Sequence, residues 1–179
     1  ESREKVFGYA DKLRDEFTAN TKPFADVNNA YGRIQASAKD PSPAGDMALI
    51  FNYMKMLDPG SVVRESEFQL AGNAGSLPAR VQAAYNKLQS GQKLTADMRV
   101  DFVDRAGRLY NQADDIYQQR VGEYTKLAES FDVPASQVTY RRNIMPRYEI
   151  PSTVGSVPNP IGTGVVDDEL ERMLQEDGY

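Results

Sequence analysis

The chain has 179 residues, 40% of them apolar and 26% charged, with a mean hydropathy of -0.58, a composition that builds a globular protein with much surface per residue. It contains no His and no Cys, which excludes Ser-His-Asp triads, thiol nucleophiles and the common zinc-ligand sets, while carboxylate chemistry of the glycosidase type stays open on composition. The formal charge of -5 belongs to the tail, where Asp167, Asp168, Glu169, Glu171, Glu176 and Asp177 face only Arg172; the near-neutral body has no basic stripe, which argues against tight direct nucleic-acid binding.

No apolar run approaches the roughly 20 residues that cross a bilayer, and the first residues lack the basic-then-apolar form of a signal peptide, so the expectation is a soluble protein with no transmembrane segment. The numbering, which starts at Glu1 rather than Met, is expected to begin inside a longer or processed chain.

From Ser2 to Asn20 the apolar positions Val6, Tyr9, Ala10, Leu13 and Phe17 recur at three and four residues and predict a helix. Pro23 in Thr21-Lys22-Pro23 kinks or restarts it, after which Phe24, Val27, Ala30, Tyr31 and Ile34 continue an apolar face as far as the stop at residues 39–43. Ala44 to Leu57 reads as a third helix, apolar nearly all round and therefore expected to be buried. Asp58-Pro59-Gly60 breaks it. Ser61 is an N-cap candidate for a short helix through Leu70, so Asp58, Pro59, Gly60, Ser61, Arg64 and Glu65 form a predicted helical corner. Residues 72–75 make the next break, and Leu77 to Leu88 the next helix, with Val81, Ala84, Tyr85 and Leu88 on one side.

Thr95 can cap the longest element, which runs to Phe131 over about 55 Å. Val103, Tyr110, Tyr117, Tyr124 and Phe131 repeat every seven residues, with Phe102, Leu109 and Ile116 as a second row beside them, a face wider than a two-stranded seam needs. Two readings stay open for the Tyr row: packing on the earlier helices, or a contact surface for other subunits. One further helical turn fits after Pro134. Thr139 to Gly164 then reads as an extended Pro- and Gly-containing arm from which no core is expected, with Tyr140, Arg141, Arg142, Arg147 and Tyr148 as a basic-aromatic strip facing solvent or a partner. Val165 to Gln175 suits a short acidic amphipathic helix that docks through Leu170, Met173 and Leu174. The expected fold is thus all-α: an elongated helical bundle over residues 1–138, an arm over 139–164 and an acidic docking segment over 165–179.

Two resemblances bear on function. Arg64-Glu65-Ser66-Glu67-Phe68 and Ala84-Tyr85-Asn86 resemble phrases of lytic transglycosylases, in which the Glu is a general acid. The spacing departs from that family, since Gly72 to Leu77 follows Glu65 too soon, the Gly-Leu-Met-Gln phrase is missing and Tyr85-Asn86 stands about 20 residues on. A degenerate peptidoglycan hydrolase acting through Glu65 is therefore the alternative reading, and a cytosolic helical adaptor the second. Asp114-Asp115 and the acidic run 167–169 are read as solvated faces, and neither a calcium loop nor a phosphate loop is present, so no catalytic residue, cofactor or metal is expected.

The longer resemblance is carried by Gly45-Asp46-Met47-Ala48-Leu49-Ile50-Phe51-Asn52-Tyr53-Met54-Lys55-Met56-Leu57-Asp58-Pro59-Gly60-Ser61-Val62-Val63-Arg64-Glu65, and more loosely by residues 26–117. This phrase resembles one in internal virion and DNA-ejection proteins of tailed bacteriophages. The resemblance implies a non-enzymatic structural protein of the particle that forms homo-oligomers, meets tail, portal or ejection proteins, and assists genome passage into the host, with the virion, and after ejection the host envelope, as its location. It carries over no active site. The candidate subunit interface comprises Tyr110, Tyr117, Tyr124, Tyr140, Arg141, Arg142, Arg147, Tyr148, Leu170, Met173 and Leu174.

Overall fold

The computed structural model describes residues 3–59, 64–140 and 143–151, with side chains from residue 6 onward. Among the described residues the chain is all-α, with six helices, no β-strand and one 3-10 turn over Ala135–Gln137. The helices are α1 (Arg3–Asn20), α2 (Lys22–Ser37), α3 (Pro43–Leu57), α4 (Glu65–Asn73), α5 (Ala79–Gln89) and α6 (Ala96–Ser130). None of them is long and apolar enough to cross a membrane.

Local chemistry places most of the ends. Ser42 accepts the Gly45 N–H at 3.0 Å with Pro43 in the first helical position, and Thr95 accepts the Met98 N–H at 3.2 Å. Gly75 and Gly91 close α4 and α5 at φ +69 and +78, left-handed angles that a residue without Cβ adopts freely. Thr21 interrupts the long N-terminal helix, because Pro23 supplies no N–H to its fourth-preceding residue, and Thr21 turns its own hydroxyl onto the Phe17 carbonyl at 2.7 Å.

α1 and α2 run in succession antiparallel to α6, joined by a ladder of rings. Tyr9 meets Phe131, Phe17 meets Tyr117 and Tyr124, Phe24 stacks on Tyr117 at 4.2 Å, and Tyr31 stacks on Tyr110 at 4.5 Å. Each such pair adds about 0.5 to 1.5 kcal/mol beyond area burial. The heptad on α6 is answered by a second row, Phe17, Phe24 and Tyr31, also spaced by seven. α3 folds back on α2 and crosses the start of α6, where Tyr53 packs edge-on to Phe102 at 5.1 Å. There the Asp46 carboxylate is fully buried: it accepts two bonds from Arg99 at 2.6 and 2.9 Å and one from the Leu94 N–H at 2.9 Å. Phe68 on α4 bridges Phe51 of α3 and Tyr85 of α5.

Four expectations are corrected. The helix placed after Ser61 begins instead at Glu65: Arg64 is extended at φ -81, ψ 153, its N–H is taken by the Glu67 carboxylate at 3.0 Å, and the side chain the helix buries is Phe68. Gly72 does not break α4 but lies inside it, because the Tyr85 ring occupies the space a Cβ would need. The second apolar row of α6 sinks only at its start, from buried Phe102 through half-buried Leu109 to Ile116, which is 60% exposed, since α3 covers only that end. Finally, the arm does contribute to the core: Met145 and Tyr148 pack against the buried cluster. Gly60, Ser61, Val62, Val63, Arg141, Arg142 and residues 152–179, including Leu170, Met173 and Leu174, lie outside the described residues.

Candidate functional site

The most elaborate polar arrangement among the described residues is a groove between α2 and α6 that holds residues 143–149 of the same chain. On α6 the groove wall is a row of residues at Asp104, Gly107, Asn111 and Asp114, three or four apart and therefore on one helical edge beside the Tyr row. On α2 it is Asn28, set among buried Phe24, Val27, Ala30 and Tyr31.

These side chains bind main chain. The Asn28 amide donates to the Asn143 carbonyl at 3.0 Å, and its oxygen accepts the Met145 N–H at 2.8 Å. Asn111 donates to the Tyr148 carbonyl and accepts the Tyr148 N–H, both at 2.9 Å, so one side chain presents the donor-acceptor pair that a neighbouring β-strand would offer. The Tyr110 hydroxyl donates to the Met145 carbonyl at 2.5 Å. Burial, reinforced by the nearby Asp114 charge, raises the Tyr110 hydroxyl pKa to about 12, so it stays a donor through the physiological range.

One side chain of the arm has a shaped seat. The Tyr148 ring lies flat against Gly107, where any Cβ would collide with it, and its hydroxyl donates to Asp104 at 3.1 Å. Met145 passes Gly32 more loosely, where an added Cβ would meet its sulfur only at ordinary contact distance, 3.4 Å. Asp104 is also held by Arg108 at 2.8 Å, and that bond, with the one from Tyr148, lowers its pKa below the usual carboxylate value. Arg147 donates to Asp114 and to Asp115, each at 2.7 Å. Asp114 is buried and also accepts from Gln118 at 3.1 Å, so the expectation of a solvated face fails there, while Asp115 keeps it with a side chain 61% exposed; both carboxylates nonetheless bond the same guanidinium nitrogen of Arg147. Beside the docked arm an open cavity of about 400 Å3 is lined by Tyr31, Gln35 and Val103 on the helices, by Lys39 in the turn after α2, and by residues 145–149 of the arm.

The candidate interface residues therefore divide. Tyr110 and Tyr117 are buried against α1 and α2 and Tyr124 lies at the edge of burial, with its hydroxyl accepting from Asn20 at 2.6 Å; their placement on a subunit surface is corrected, because the rings face the chain's own helices. Arg147 and Tyr148 are likewise engaged within the chain. Tyr140 is 68% exposed. In the corner, Asp58 closes α3, and Arg64 and Glu65 are exposed at the start of α4; Glu65 does not line the cavity. Among the described residues no group of three or more Asp or Glu is arranged to hold a metal ion.

The groove leaves no local signal in the sequence, because its residues stand at long separations. Asn28 and Asn111 read as ordinary polar residues within helices, and only their common position on a buried edge, Asn28 among apolar neighbours and Asn111 one residue past Tyr110, hints at a buried partner. Compared with known proteins, the chain matches no family model, no curated protein and no solved structure.

Proposed function

We propose that this chain is a non-enzymatic structural component of a tailed-phage particle that forms homo-oligomers and assists passage of the genome into the host. The observation that carries the reading is the phrase from Gly45 to Glu65 and its resemblance to internal virion and DNA-ejection proteins. Within this chain the phrase forms a packed element of the bundle. It supplies α3, which packs on α2, α5 and α6, and through Asp46 it ties the start of α3 to the start of α6. The groove supports a binding rather than a catalytic role, since its amides, hydroxyl and carboxylates are engaged by an extended segment of chain. Its partners in the particle are further copies of itself and proteins of the tail, portal or ejection apparatus.

Mass spectrometry of purified particles of the phage that encodes the chain, with imaging of those particles, tests the proposal. The expected result is the chain present at a fixed copy number, and Glu65→Gln leaving both copy number and infectivity unchanged. Absence of the chain from particles would overturn the reading, and loss of cell-wall clearing on Glu65→Gln would replace it with peptidoglycan hydrolysis.

A further inference from the structure

The groove recognises an extended segment by its main chain, and nothing in that recognition requires the segment to come from the same molecule. Four residues, Thr139 to Arg142, separate Val138, which is buried, from Asn143, the first residue held by Asn28. At about 3.5 Å per residue this connection reaches roughly 17 Å. A second copy lying alongside within that reach offers the same Asn28 and Asn111 amides, the same glycine seat for Tyr148 and the same carboxylates for Arg147. The contacts made in either arrangement are identical, so the choice rests on effective concentration, on the order of millimolar for a connection of this length. The docked arm also leaves Ile144 38% and Ile150 51% exposed, and Tyr140, within the connection, is 68% exposed. These are large apolar side chains that a closely apposed copy would cover.

We infer that residues 143–151 are an exchangeable arm and the α2/α6 groove its receptor, so that in the assembled state the arm of one copy seats in the groove of a second copy of this chain. The inference rests on the homo-oligomer reading and names its surface. Reciprocal exchange between two copies closes a dimer, and the short connection keeps the two bundles in side-by-side contact. In dilute solution the arm closes on its own groove; crowding of copies in an assembly moves it across.

The chain has no Cys, so engineered thiols report without background. A Cβ added at Gly107 falls at the root of the Tyr148 ring, which puts the Cβ atoms of positions 107 and 148 within about 4 Å, in range for a disulfide. The full-length chain carrying Gly107→Cys and Tyr148→Cys is oxidised at about 10 µM and again at a few millimolar, straddling the expected effective concentration. The expected products are a monomer with an internal 107–148 link when dilute and, when concentrated, a covalent dimer whose peptide map shows the 107–148 link between chains. A second measurement separates the two thiols: Gly107→Cys is mixed with Tyr148→Cys, so that neither chain can form the 107–148 link internally. Oxidation of the concentrated mixture should give a covalent heterodimer whose peptide map shows the 107–148 link. Dimers or larger species with only internal links in the double variant and no 107–148 link in the mixture would overturn the arm inference while leaving the homo-oligomer reading standing. A strictly monomeric mass at every concentration would overturn both.

Discussion

Replacing Gly107 by Ala should move two quantities in opposite directions. Within α6 the change removes a flexible residue from a helix interior, which stabilises the helix by about 0.5 to 1 kcal/mol. At the groove it places a methyl group where the base of the Tyr148 ring now lies. Relief by rotating the far end of a flexible side chain is not open, because the collision is at the first ring carbon, and the ring has to leave with its backbone. The two bonds between Asn111 and Tyr148 go with it, each worth about 1 kcal/mol, together with the ring's contact with the helix. Arm docking should thus weaken by about 2 to 3 kcal/mol, a 30- to 150-fold rise in the undocked population. Hydrogen exchange resolves the two effects, since amide protection reports local opening site by site. The Tyr148 and Met145 amides, bonded to Asn111 and Asn28, should exchange faster by that factor, whereas amides in the middle of α6 should hold or slow. Unchanged protection at Tyr148 in a folded Gly107→Ala protein would refute the account of the groove as a seat shaped by the missing Cβ.

Three further predictions concern the bundle and its titration. Asp46→Ala leaves Arg99 without its buried carboxylate and the Leu94 N–H without an acceptor, which should remove about 3 kcal/mol and lower Tm by roughly 6 to 12 °C in a thermal melt followed by circular dichroism; a loss under 2 °C would show that water replaces the pair. Gly72→Ala forces the fully buried Tyr85 ring to shift and should destabilise by about 1 to 2 kcal/mol in urea unfolding, despite the better helix former, with no change in Tyr148 exchange. Burial raises the Tyr110 hydroxyl pKa to about 12, above its unfolded value near 10, so its contribution is complete below pH 10 and is lost as pH rises from 10 through 12, by at most about 3 kcal/mol. Melts between pH 9 and 11.5 should show a steeper decline for the natural chain than for Tyr110→Phe, and parallel declines would assign the alkaline loss to other groups.

What could be read in the sequence was what has a short period. Phe24, Val27, Ala30, Tyr31 and Ile34 repeat at helical intervals, and all five are buried where α2 meets its neighbours. Thr95 announces a helix start because a hydroxyl in that position satisfies a free N–H within three residues. Ser61 is a better cap by type than Arg64, yet α4 starts at Glu65; the choice is made by Glu67, three residues beyond Arg64, and by the burial of Phe68 between α3 and α5. The groove lies beyond any local rule. Asn28 binds residues more than a hundred positions away, and Gly107 is informative only once Tyr148 is known to lie on it.

The two interfaces of α6 differ in kind, and the difference bears on how the molecule works. Toward α1 and α2 it presents rings: Tyr110, Tyr117 and Tyr124 interleave with Phe17, Phe24 and Tyr31, and separating them would expose a continuous apolar seam, so this contact opens only when the bundle unfolds. Toward the arm it presents mostly polar groups, Asp104, Asn111, Asp114 and Asp115, with Met145 and the Tyr148 ring on Gly107 as the apolar part of the contact. Water can take over the bonds of these polar groups at about 1 kcal/mol net for each neutral one, so undocking the arm costs less than opening the ring seam. The two joints of α6 should therefore open at different free energies, the arm first and the ring seam only with the bundle.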